Sequence, residues 1–283
     1  MAIKFEKVSY VYDAGMPYAH TALKDIDLII PQGQICAIIG ETGSGKSTLV
    51  EHLNALLLPS SGQIEIGDQL ITSAKKPSGL KKLRKNVGLV FQFAEYQLFE
   101  ETILKDVMFG PKNFGDSDEE ALIKAQRALK LVGIDESLYQ MSPLEISGGQ
   151  KRRVAIAGII ATDPEIMVLD EPTAGLDPKG AMDMIELFVR LNKEFNKTVV
   201  IVSHDNDMVY TYADHTVVMA DGQVAYSGDT VKLFNDLELC ERYGLLKPQV
   251  ILLKEALIKA GFKLTKEVRT LDELVKLVKK EVR

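Results

Sequence analysis

Residues Gly40 to Thr48 read GETGSGKST, which satisfies the pattern G-x-x-x-x-G-K-[ST]. An apolar run, Gln34 to Gly40, precedes it and a helix-forming run from Lys46 follows, the setting that this pattern needs. Gly40, Gly43, Ser44 and Gly45 let the backbone wrap an anion with its N–H groups turned inward. The helix after them presents its positive end to the same anion. Lys46 would reach the β and γ phosphates of a nucleotide, and the Ser47 hydroxyl, beside Thr48, would ligate Mg²⁺. A second constellation is IMVLDE, Ile166 to Glu171. An apolar strand ending in a carboxylate places Asp170 beside the Mg²⁺ shell, because α/β sheets gather ligands at the carboxyl ends of their strands. Glu171, one residue further, is placed to polarise an attacking water.

These residues need a sheet to hold them. Ile3 to Tyr12, Leu23 to Ile30, Gln34 to Gly40, Gln63 to Ile71 and Val87 to Gln92 read as strands, broken by Gly33, Pro59, Gly62 and Gly67. One helix, Lys46 to about Leu57, interrupts them. From Phe93 to Ala161 the pattern is helical, with Glu119 to Val132 and Gln150 to Ile160 as its elements. Ile166 to Leu169 and Val199 to Val202 are apolar throughout, as parallel strands covered on both faces are. Val217 to Met219 and Gln223 to Tyr226 flank Ala220-Asp221-Gly222, a hairpin signal. Pro248 to Ala260 and Leu271 to Val282 read as closing amphipathic helices, with Gly261 ending the first and Thr270 with Glu273 capping the second.

The whole is an ordinary globular composition, 46% hydrophobic and 26% charged over 283 residues. Its apolar runs are far shorter than the ~20 residues that span a bilayer. No leader is legible after Met1, so any work at a membrane runs through partners. The net charge of −6 argues against nucleic acid as a partner. The basic stretch Lys75 to Lys85 reads as a solvated loop and helix face. Cys36 and Cys240 suggest no disulfide, and Cys36 reads as a buried thiol.

Ile146 to Gln150 read ISGGQ, followed by KRRVAIAGIIA. Ser147, Gly148 and Gly149 would form a second anion-binding helix start, in a chain that already has one. With this segment 20 residues ahead of Asp170–Glu171, the chain resembles ABC-type ATPases, a P-loop NTPase family whose signature is LSGGQ. The resemblance covers residues 1 to about 235 and implies two ATP molecules sandwiched between two such subunits. It implies an α/β fold with a RecA-like core and an N-terminal antiparallel β subdomain, residues 1–92 and 162–235. Residues 93–161 would be the helical signature insert, and 236–283 a C-terminal helical extension. It also assigns Tyr12 to adenine stacking, an ordinary strand tyrosine being the alternative with Tyr10 nearby, and Gln92 to Mg²⁺ sensing and to the link between core and insert. Asp177, in Ala174-Gly175-Leu176-Asp177, falls in the loop that crosses the dimer interface, and His204 matches the histidine on the γ-phosphate. Ser147 to Gln150 would close on the partner's ATP, and Glu171, His204 and Lys46 would carry hydrolysis. His20, His52 and His215 read as structural.

The finer match is to the ATPase subunits of energy-coupling-factor (ECF) transporters. It rests on FQFAEYQLFEETILKDVMFGPKNFG (Phe91 to Gly115), SPLEISGGQKRRVAIAG (Ser142 to Gly158) and YDAGMPYAHTALKDIDL (Tyr12 to Leu28). EPTAGLDP, Glu171 to Pro178, is more like the A-prime member of the ATPase pair. Ala94 departs from the family's proline. The resemblance implies an active ATPase at the cytoplasmic face of the membrane, peripheral to it. Its partners would be a second ATPase, a transmembrane coupling subunit and small vitamin-binding membrane subunits. Residues 93–142 hold ten acidic and five basic side chains. Glu95, Glu100 and Glu101 either pair with arginines of the coupling subunit over a floor of Tyr96, Leu98 and Phe99, or are solvated. The C-terminal helices either add dimer contacts or pack as an appendage. Cobalt or nickel importer ATPases share much of this pattern, an ordinary ABC importer ATPase less, and a nucleic-acid-directed ABC ATPase least.

Overall fold

The computed structural model describes residues 2–73 and 78–281. The chain opens with β1 (Ile3–Tyr12) and β2 (His20–Ile30), then β3 (Ile35–Gly40), α1 (Lys46–Glu51), β4 (Ser61–Ile66), β5 (Gln69–Thr72), α2 (Leu80–Asn86) and β6 (Val87–Val90). Three helices follow, α3 (Ile103–Asn113), α4 (Asp118–Leu131) and α5 (Gly148–Ile160). The chain then alternates through β7 (Ile166–Asp170), α6 (Pro178–Phe195), β8 (Thr198–Val202), α7 (Asn206–Tyr212), β9 (His215–Ala220) and β10 (Gln223–Asp229). It closes with α8 (Thr230–Asn235), α9 (Leu237–Arg242), α10 (Gln249–Lys259) and α11 (Leu271–Glu281). Four strands form an antiparallel sheet in the order β2-β1-β4-β5, and six form a second in the order β10-β9-β3-β8-β7-β6. The second is parallel from β9 to β6, with β10 antiparallel at its edge.

The all-apolar strands explain themselves by parity, since successive side chains of a strand face opposite sides. On β3, Ile35, Ala37 and Ile39 face the helices of residues 103–160 and α6, while Cys36 and Ile38 face the antiparallel sheet. Met167 and Leu169 of β7, and Val199 and Ile201 of β8, repeat the first set; Ile166, Val168, Val200 and Val202 repeat the second. Burial pushes the Cys36 thiol up to about 12, so it is inert as a nucleophile at neutral pH.

Three elements illustrate where the structure departs from the sequence reading. Gln63 to Ile71 is two strands, because the chain turns at Gly67-Asp68 and pairs β4 with β5. The helix from Lys46 stops at Glu51 rather than Leu57. Leu56 N and Leu57 N both return to Glu51 O, and Arg84 of α2 takes the carbonyls of Asn54 (3.3 Å) and Ala55 (3.0 Å). Thirdly, α3 had no counterpart; Thr102 caps it by accepting from Lys105 N, and Val107 and Pro111 are buried beneath it. Of the basic stretch, Lys75 and Lys76 lie outside the described residues. Lys82 pairs with Asp68, and Lys85 lies 3.9 Å from Asp116.

His52, directly after α1, is fully buried. Its Nδ1 donates to Thr48 O at 2.6 Å, so the neutral ring leaves Nε2 as an acceptor without a hydrogen-bond partner among the described residues. Burial holds the ring's pKa below the usual histidine range. The unfolded chain therefore binds the proton first, and stability falls as pH drops through the ordinary histidine range. Half-buried His215 shifts the same way. Thermal unfolding of wild type and His52→Gln at pH 7.5 and 5.5 should show a smaller acid loss in the variant. Equal losses would assign the effect to other groups.

Candidate nucleotide site

Four neighbouring parallel strands end at one place. The loop Glu41–Gly45 leaves β3, Glu171 leaves β7, and Gln92 follows β6; beyond β8 comes His204. Between them lies a cleft of about 500 Å³, lined by Tyr12, Thr42, Gly43, Gly45, Lys46, Ser47, Thr48, Gln92 and Glu171, with His20, Ala22 and Val202. The antiparallel sheet forms one wall: Tyr12 Oη lies 3.2 Å from Thr48 Oγ1, and its ring packs edge-on against Tyr10 with centroids 4.8 Å apart.

The loop is compact. Gly43 and Gly45 both lie at positive φ, and Lys46 Nζ donates to Gly40 O and Glu41 O, each at 2.8 Å. Burial lowers the Lys46 pKa, and the carboxylates of Glu171 and Asp170 oppose that shift. Asp170 moves the other way: burial raises its pKa, Glu171 adds to the rise, and the Ser47 hydroxyl and Lys46 hold it back. A half-buried ammonium, a hydroxyl and two carboxylates thus face a common space. Hard oxygen donors from Ser47 and Asp170, close enough for the hydroxyl to offset part of the rise in the Asp170 pKa, suit Mg²⁺ better than a softer metal.

Glu171 sits between two partners, Gln92 Nε2 donating to its Oε2 at 3.3 Å and His204 Nδ1 lying 3.5 Å from its Oε1. Its own backbone is strained, with φ at +46°, and is held by Glu171 N donating to Val202 O at 3.1 Å. His204 is largely exposed and reaches the cleft only through Glu171.

The ISGGQ segment and Asp177 do not line this cleft. Ser147 caps α5: Gln150 N donates to Ser147 Oγ at 3.3 Å, and Gln150 Oε1 accepts from Ser147 N and Oγ at 3.0 Å. Gly148 and Gly149 start that helix on the surface, where an added Cβ would meet nothing. Asp177 accepts from Gly180 N at 3.2 Å and caps α6. Two residues at the site had no reading of this kind. His20, read as structural, stands exposed at the cleft rim, where its place across the β1–β2 pairing from Tyr12 was the signal. Arg152 is buried behind Glu171, and as the middle of three successive basic residues, Lys151 to Arg153, it carries no distinct signal in the sequence. Of the insert carboxylates, Glu101 pairs with Lys105 at 2.6 Å, whereas Glu95 turns a buried oxygen inward, toward Arg152. Tyr96 and Phe99 are exposed beside them.

A family model described as ABC transporter matches residues 23–174. The chain is 50% identical over 281 residues, 99% of its length and 97% of the relative's, to the energy-coupling factor transporter ATP-binding protein EcfA2 of Enterococcus faecalis. It is 51% identical to EcfA2 of Geobacillus kaustophilus, over 92% of this chain and 89% of that one. Among solved structures it is similar to cbiO1 from Clostridium perfringens, described as part of the ABC transporter complex cbiONQ. That likeness has a TM-score of 0.72 and 38% identity, over 89% of this chain and 98% of the other. The ATP-binding cassette MJ0796, solved as a dimer in a post-hydrolysis state with ADP and Pi, matches at TM-score 0.71 and 32% identity, over 81% and 98%.

Proposed function

The chain belongs to the ABC transporter family, among its energy-coupling-factor ATP-binding proteins, and on that premise we propose that the cleft at the ends of β3, β6 and β7 is its ATP site. The protein is an ATPase subunit of an ECF-type importer. One observation carries the assignment of the site: Lys46, Ser47, Gln92 and Glu171 line one cleft, with Asp170 next to Glu171 at the end of β7.

In this reading Lys46 leaves the carbonyls of Gly40 and Glu41 for the β and γ phosphates, and the loop amides close round them. Tyr12 stacks on adenine. Ser47, Asp170 and Gln92 hold Mg²⁺, which supplies neutralisation of phosphate charge. Glu171 orients a water in line with the γ-phosphorus and accepts its proton as the bond to the ADP oxygen breaks. His204 holds Glu171 and the γ-phosphate in register. Ser147, Gly148, Gly149 and Gln150, facing away from this cleft, cover the ATP of a second ATPase subunit, and Asp177 lies in the same interface. Residues 1–92 and 162–235 act as the nucleotide-binding core, 93–161 as the insert that meets a transmembrane coupling subunit, and 236–283 as the extension. In this reading the chain works peripherally, on the cytoplasmic face of the membrane; no described helix is long and apolar enough to cross one. The transported cargo is a vitamin or another micronutrient captured by separate membrane subunits.

Tagged protein, purified from membranes of its host in mild detergent, tests the assembly. A second ABC ATPase, one multi-span subunit and small membrane proteins should be recovered with it. Recovery with a conventional permease alone would remove the vitamin-importer reading and leave the ATPase chemistry intact.

A further inference from the structure

Arg152, on the second turn of α5, is only 2% exposed. Its Nη1 donates to Ala174 O, and its Nη2 donates to Gln92 O and, at 3.2 Å, to Glu171 O. The three carbonyls come from three places: the loop after β6, the end of β7, and the segment leading to α6. A planar guanidinium with five donors in a fixed fork can satisfy three such acceptors together, whereas an ammonium on a flexible stem holds them less rigidly. Burying that charge is costly unless it is compensated. Glu95, three residues beyond Gln92, supplies a nearby opposite charge, and its Oε2 is buried without a hydrogen-bond partner among the described residues, as is Arg152 Nε.

We propose that Arg152 is a positioning residue for hydrolysis, a clamp through which α5 sets the backbone of Gln92 and Glu171 relative to each other. The proposal rests on the ATPase reading of the cleft and adds to it a mechanical route. A motion of the insert pulls on the Glu171 carbonyl directly through α5, besides passing along the chain at Gln92. Glu171 needs such support, because a glutamate at φ +46° persists only where its surroundings hold it there. Arg152 does not itself line the cleft and touches no reacting atom, so its effect is transmitted through the backbone of Gln92 and Glu171.

The test uses Arg152→Gln and Arg152→Lys in the purified transporter complex, beside wild type. Turnover by Arg152→Gln should fall roughly tenfold or more while KM for ATP stays within about threefold, the pattern of lost transition-state alignment. Arg152→Lys, keeping charge and one or two donors, should recover part of the turnover. A fall in turnover that only follows the loss of folded protein, or a rise in KM alone, would overturn the proposal. Hydrogen exchange on the wild-type chain judges it even if both variants fail to fold. Residues 92–95, 171–174 and the first turns of α5 should open as one cooperative unit, and unrelated opening rates would sink the clamp. An inactive wild-type complex would instead count against the ATPase reading, and the exchange result would still decide on Arg152.

Discussion

Replacing Glu171 with Gln should lower ATP turnover by about 10²–10⁴-fold, the usual contribution of a positioned general base, while nucleotide still binds. The amide keeps the shape and one oxygen acceptor for Gln92 Nε2, now at 3.3 Å, while its NH₂ faces His204 Nδ1, now 3.5 Å from Oε1, which accepts in the ring's other neutral tautomer. What it loses is the capacity to take a proton from water. Binding should survive because the groups assigned to the phosphates, Lys46 and the loop amides, are untouched, and Tyr12 stands across the cleft from them. With hydrolysis blocked and ATP retained, the pair of ATPase subunits should accumulate in its closed form. Steady-state phosphate release, ATP binding and size-exclusion chromatography with and without ATP would measure all three effects. Turnover near the wild-type rate would remove Glu171 from its role and move the search for a base to another group.

The parallel sheet was legible because its strands are apolar on both faces, and only burial between two layers explains a run such as Val199 to Val202. The loop Gly40 to Thr48 was legible because its chemistry is written in consecutive residues. Features that depend on distant partners were not. The segment after α1 is held by Arg84, some thirty residues away, which donates to the carbonyls of Asn54 and Ala55. The β4–β5 turn is a local exception: Gly67-Asp68 is itself a turn signal, inside a run from Gln63 to Ile71 that reads as one strand. Glu95 looked like a surface carboxylate in an acidic insert, yet one of its oxygens is buried, toward Arg152. Arg152 itself was passed over for the same reason. Its role is defined by carbonyls, and a carbonyl leaves no mark on the residue type that carries it.

Gly45→Ala should cost stability and weaken nucleotide binding together, and Gly43→Ala should separate the two causes. Both glycines have left-handed φ, +99° at Gly45 and +85° at Gly43. An alanine at either pays a conformational penalty of about 1–3 kcal/mol. Their surroundings differ. A Cβ at Gly43 meets nothing within 4 Å, whereas one at Gly45 falls 2.7 Å from Ala22 O and 3.1 Å from Leu23 Cδ2. The obstacle is backbone of β2, in the other sheet, and it is fixed where Lys24 N donates to Gly222 O at 2.8 Å and Gly222 N to Ser44 O at 3.2 Å. The loop, β2 and the β9–β10 turn therefore close on one another with no slack. Gly45 also precedes Lys46 directly as the cap of α1, so any shift that relieves the clash displaces Lys46 Nζ and Ser47 Oγ from their places in the cleft. Each 1.4 kcal/mol lost from binding is about tenfold in affinity, and Gly45→Ala should lose at least that, with a lower thermal midpoint than Gly43→Ala. Isothermal titration of ATP and thermal unfolding of both variants would show it. Equal losses in the two would mean that backbone strain alone sets the effect, and that the close approach of β2 to the phosphate loop does not control nucleotide affinity.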